Sequence, residues 1–142
     1  MKFDIIIQGG QSNADGSGIG SVTSAYIPTE KVYYLETVKT VEHTPERVVV
    51  TFADEPFRLS VAQERVENGE TISDFALSFA EKYIADGRLA EDRKLLIVRA
   101  AVGGTGFKKG DWGIDAVLYE KLVEMVSYAL SLDEGNRVVA FL

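Results

Sequence analysis

Two stretches carry residue types that can do chemistry. In the first, an apolar run at residues 3–8 leads straight into Gly9-Gly10-Gln11-Ser12-Asn13. Glycines let the backbone turn tightly at the end of a strand and approach a ligand closely. A serine on such a turn exposes its hydroxyl and points its own N–H at the same space, a nucleophile and an oxyanion donor in one residue. In the second, the apolar run 94–101 opens into Val102-Gly103-Gly104-Thr105-Gly106. A serine nucleophile also needs a base. The single histidine, His43, lies in His43-Thr44-Pro45-Glu46, which reads as a surface turn.

Other chemistries find less support. The chain has no cysteine and one histidine, and its carboxylates are scattered, so no thiol chemistry, disulfide, metal site or cofactor is expected. Gly16, Gly18 and Gly20 do not have dinucleotide-binding spacing, and no Gly-Lys-Ser/Thr follows.

The elements that must position these turns follow from periodicity. Residues 31–35, 47–52 and 57–61 are β-branched or aromatic runs and predict an antiparallel β excursion near residues 31–60. Ile72, Phe75, Ala76, Phe79, Ala80, Tyr83 and Ile84 recur at three- and four-residue steps. That spacing predicts a helix from near Thr71, capped around Ser73 and stopped by Gly87, with its aromatic stripe in the core. A second helix, capped by Asp111 or Asp115, buries Val117, Leu118, Leu122, Met125, Val126, Ala129 and Leu130. The runs 94–101 and 137–142 read as strands buried on both faces. Strand, helix, strand, helix, strand with short connections predicts a three-layer α/β fold with a mostly parallel sheet, flavodoxin-like in order. In such sheets ligands collect at the carboxyl ends of the strands.

At 142 residues the chain is a single domain. Its net charge of −7 argues against nucleic acid and against an anionic membrane surface. Asp4 interrupts the start of the apolar run 3–8, which is too short for a signal peptide, so the chain as written is expected to be cytoplasmic, or secreted if a leader was removed.

Gly10-Gln11-Ser12-Asn13 resembles the first block of the SGNH-type serine esterases, in the form found in sialate O-acetylesterases and the acetyl xylan esterases of carbohydrate esterase family 6. Ala101-Val102-Gly103-Gly104-Thr105, with Trp112 downstream, resembles their second block. The resemblance implies Ser12 as nucleophile, with the amides of Ser12 and of Gly103 or Gly104 holding the oxyanion, on an acetylated carbohydrate substrate. Gln11, Asn13, Thr105 and Trp112 stand as substrate contacts or turn supports. Asn13 is expected to anchor its turn by hydrogen bonding nearby backbone, and Trp112 is either a sugar platform or core.

The family's third block, Gln-Gly-Glu, and its Asp-x-x-His segment have no counterpart in this sequence, and His43 matches no family position. The expectation is therefore a fragment with little esterase activity of its own, lacking its base, whose last strand leaves an edge for a missing C-terminal segment or a second copy. Two other readings stand beside it: a non-catalytic carbohydrate-binding or assembly module, and a flavodoxin-like domain holding a phosphate ligand at the first turn.

Overall fold

Six of the seven residues of the first strand are buried, which fits an apolar run enclosed on both faces. In the computed structural model, which describes residues 1–16, 24–72 and 74–142, that strand is β1 (Lys2–Gln8), followed by α1 (Ser12–Asp15), β2 (Val32–Glu36), β3 (Lys39–His43), β4 (Val48–Phe52), β5 (Arg58–Val61), β6 (Arg65–Glu67) and β7 (Glu70–Ile72). Then come α2 (Phe75–Ala85), β8 (Arg93–Arg99), a 3-10 turn (Phe107–Lys109), α3 (Val117–Ser131) and β9 (Arg137–Phe141).

The main sheet has the order β5-β2-β8-β1-β9. β1, β2, β8 and β9 run parallel, and β5 closes one edge antiparallel to β2. The α/β, mostly parallel architecture is the one expected. Its strand order departs in one respect: β8 stands between β2 and β1, whereas a flavodoxin-like sheet pairs its first strand directly with its second. β1 and β8 are direct neighbours over their whole length, from Lys2 beside Arg93 to Gln8 beside Arg99.

Alternation along the strands builds the layers. Ile5, Ile7, Leu96 and Val98 face one side and pack with Leu118, Leu122, Met125 and Ala129 of α3 and with Trp112. Ile6, Leu95, Ile97 and Tyr34 face the other and pack with Ala76, Leu77 and Ala80 of α2. Each fully enclosed aliphatic side chain contributes about 1.5–3 kcal/mol.

Several local expectations are corrected. The run 31–35 is not part of the excursion, because β2 pairs in the parallel sheet. Within residues 31–60 it is β3 and β4 that form a separate two-stranded sheet. His43 ends β3, paired with Val48, and is not itself in the turn. Thr71 and Ile72 belong to a β6–β7 hairpin whose Asn68-Gly69 corner takes positive φ at both residues, so α2 starts at Phe75. The cap of α2 is Asp74, which accepts from the Ala76 N–H, while Ser73 lies outside the described residues. Neither Asp111 nor Asp115 caps α3. Asp111 accepts from the Gly106 N–H instead, and Ala116 holds the cap position. Of the expected α3 face, Val117 and Leu130 are exposed. β9 is an edge strand with Val138 and Phe141 exposed, since only β1 borders it.

At the amino ends of the strands, Asp4 is wholly enclosed and accepts from Arg93 Nε at 2.7 Å, Arg137 Nε at 2.7 Å and Tyr83 OH at 2.9 Å. Burial alone would raise its pKa. The hydrogen bonds from Arg137, Tyr83 and Arg93 outweigh that and hold it below the ordinary carboxylate value.

Candidate active site

With Gln8 level with Arg99, the chains leaving β1 and β8 turn at the same height. Two backbone bonds join them beyond the strands: Ala100 N–H to Gln8 O at 2.9 Å and Val102 N–H to Gly10 O at 2.9 Å. Gly10 takes φ +135, which side-chain-bearing residues rarely adopt. This geometry swings Ser12 to the first position of the one-turn helix α1, closed by Gly16 in the left-handed conformation. Ser12 Oγ donates to Gln11 Oε1. Among the described residues, the N–H groups of Ser12, Gly103 and Gly104 have no hydrogen-bond acceptor. Asn13 is exposed, and its side chain makes no hydrogen bond among the described residues.

Gln8 anchors the turn in its place. Completely buried, it donates from Nε2 to Ala14 O at 2.7 Å and to Asp74 Oδ1 at 2.9 Å, tying the first turn to the α2 cap. Asp74 Oδ2 accepts from Tyr34 OH at 3.0 Å. Burial and then the neighbouring Asp74 charge push the Tyr34 pKa upward, so the phenol remains a proton donor. Arg99 stacks over the Tyr34 ring and pairs with Glu36 at 2.8 Å.

The second turn is braced from behind. Thr105 Oγ1 donates to Val102 O at 2.6 Å and accepts from Trp112 Nε1 at 2.9 Å. Trp112 packs in the core with Val102 and Leu118. Of the two readings of Trp112, core and turn support is the one its position fits.

Both turns open on one cavity of about 470 Å³, lined by Ser12 and Asp15 on one side and by Val102, Gly103 and Gly104 on the other. β3 supplies a third wall through its alternate residues Lys39, Val41 and His43, with Arg65 and Ile72 from the β6–β7 hairpin completing it. At Gly104 (φ +79), a Cβ would lie 2.8 Å from Val48 Cγ2 and 3.5 Å from His43 Cε1, so the hairpin rests directly on this turn. A smaller cavity of about 220 Å³ adjoins the first, shares Asp15, Lys39 and Arg65 with it, and reaches Glu36 and Arg99.

Sequence reading missed Gln8, Asp74, Arg99, Lys39 and Arg65, and placed His43 on a surface turn. Gln8 and Arg99 left a trace, as polar residues ending otherwise apolar strands. Lys39 and His43 left none, since nothing local tells which way a hairpin folds over. The glycine-rich 17–21 segment, read as a phosphate loop in one alternative, lies outside the described residues.

The sheet, its two flanking layers and the paired carboxyl-end turns define a three-layer α/β protein with a mostly parallel sheet. More narrowly, a sequence profile described as carbohydrate esterase, sialic acid-specific acetylesterase, matches residues 2–142, and the chain belongs to that family. Two solved structures have the same fold. One is a protein from Arabidopsis thaliana, with a TM-score of 0.67 at 21% identity over 99% of this chain and 56% of that one. The other is NanS, with a TM-score of 0.64 at 18% identity over 99% of this chain and 52% of that one. The chain thus spans about half the length of these relatives. No curated protein matches it.

Proposed function

We propose that the protein of which this chain forms the whole or a part is a serine esterase that removes O-acetyl groups from a carbohydrate, a sialic acid above all. The observation that carries this reading is that Ser12 and the Gly103-Gly104 turn line one cavity. The family assignment supports the substrate class.

Ser12 Oγ attacks the acetyl carbonyl carbon as a histidine takes its proton. The tetrahedral oxyanion lies against the N–H groups of Ser12 and of Gly103 or Gly104, none of which has an acceptor among the described residues. Collapse breaks the bond to the sugar oxygen, which leaves with the proton returned by the histidine. Water, deprotonated by the same base, then attacks the acetyl-Ser12 ester and releases acetate. In the first reading the base belongs to a segment outside residues 1–142, as in the family the sequence resembles. A second reading rests on the position of His43 in the cavity wall, where it serves as the base itself.

Acetate release from an O-acetylated sialic acid and hydrolysis of an aryl acetate test both. Ser12→Ala must abolish turnover in any preparation that has it. If the 142-residue chain is inactive alone, the external base stands. If it turns over and His43→Ala removes that activity, the second reading replaces the first. Turnover that survives Ser12→Ala would end the esterase proposal.

A further inference from the structure

The two adjoining cavities differ in charge from the rest of the molecule. The chain carries a net charge of −7, yet the ionised side chains lining the smaller cavity are Lys39, Arg65 and Arg99 against Asp15 and Glu36. These cations are not equivalent. Arg99 is committed: it pairs with Glu36 at 2.8 Å, donates to Gln8 at 3.3 Å and lies 3.9 Å from both Asp15 and Asp74. Asp74, behind it, is engaged by Gln8, Tyr34 and the α2 N-terminus. Arg65 donates to the Asp15 and Gly16 carbonyls and has its guanidinium 3.8 Å from the Asp15 carboxylate.

Lys39 stands apart. Its half-buried side chain borders both cavities and has no hydrogen bond or ion pair among the described residues. Burial lowers its pKa. Asp15 and Glu36 act against that lowering, and Arg99 and Arg65 add to it. A half-buried ammonium that makes no direct ion pair is unfavourable, and an incoming anion would offset that cost.

We propose that Lys39, with Arg65 beside it, forms an anion subsite that takes the carboxylate of an acidic sugar while its acetyl ester reaches Ser12. This assignment rests on the esterase reading for its substrate, but the binding event needs no catalysis. Because Lys39 and Arg65 line the Ser12 cavity as well as the smaller one, an anion held between them lies next to the reacting serine. The subsite would select acidic over neutral sugars by charge pairing, leaving the acetyl group to the two turns.

The test is binding to the 142-residue chain, followed by NMR titration. The probes are N-acetylneuraminic acid, its neutral methyl ester, and acetate alone. The acid is expected to bind at least about tenfold more tightly than either the ester or acetate, more weakly as salt rises. Lys39→Gln should remove that preference without changing the affinity for the methyl ester, and Lys39→Arg should restore most of it. Equal binding of acid and ester, no binding of the acid, or a preference that survives Lys39→Gln would overturn the subsite. Tight binding of acetate alone would show a general carboxylate trap and overturn it equally. Ser12→Ala should leave the preference intact, so failure of the esterase reading and failure of the subsite appear in different measurements.

Discussion

Both ends of the central sheet bury a carboxylate next to an arginine, and the two ends are put together differently. At the amino end Asp4 meets Arg93, Arg137 and Tyr83, and Arg93 Nη2 donates to Phe3 O at 2.6 Å and Gly135 O at 2.9 Å. Both oxygens of the Asp4 carboxylate are engaged there. At the carboxyl end Asp74, Gln8, Tyr34 and Arg99 form a comparable network. Its outer members, however, border open cavities, and the groups without partners among the described residues include Lys39 and the backbone amides of Ser12, Gly103 and Gly104. A saturated network holds strands in register, whereas an unsaturated one beside a cavity has binding capacity left over for a ligand.

Substitutions can break this contrast at either end. The largest expected effect is at Ser12: Ser12→Ala should lower acetate release about 10⁴-fold or more while leaving the thermal midpoint nearly unchanged. Next is Asp4→Asn, which leaves Arg93 facing a neutral partner and should cost about 3–5 kcal/mol in urea unfolding, with sugar binding intact under native conditions. Because the folded pKa of Asp4 lies below the ordinary carboxylate value, its stabilising contribution is present above that ordinary value. It should disappear as pH falls through the lower folded pKa, so the gap between Asp4→Asn and the parent narrows only in acid.

Gly104→Ala comes third. A side chain at φ +79 meeting Val48 at 2.8 Å should cost about 1–3 kcal/mol and push the β3–β4 hairpin away from the turn. Gly106→Ala, where a Cβ meets nothing within 4 Å, is the control and should be close to neutral in the same denaturation experiment. Smallest is Trp112→Phe, which keeps the ring in the core but loses the 2.9 Å bond to Thr105. About 1 kcal/mol of stability should go. Any kinetic loss should fall on kcat more than KM, because Thr105 braces the second turn and does not line the cavity.

Much of this was legible residue by residue. The runs 3–8 and 94–101 announced strands because apolar side chains on both faces suit only an enclosed sheet, and α2 and α3 announced themselves by period. The Asn68-Gly69 corner carried a strong hairpin signal that was overlooked beneath the helical pattern downstream. The α3 start was misread because an aspartate near a helix can cap it or brace a loop, and Asp111 braces the loop at Gly106.

The chain by itself determined the two glycine turns, the serine on one of them, and the apolar strands that deliver both to the same end of a parallel sheet. Those properties depend on neighbours a few residues apart. Tertiary structure alone decided that β8 lies directly against β1, that Val102 bonds to Gly10 ninety-two residues away in the chain, and that β3 folds over so that Lys39 and His43 line the same cavity as Ser12. Strand order and hairpin placement come from pairing and packing between distant segments, and local periodicity holds no record of which partner wins.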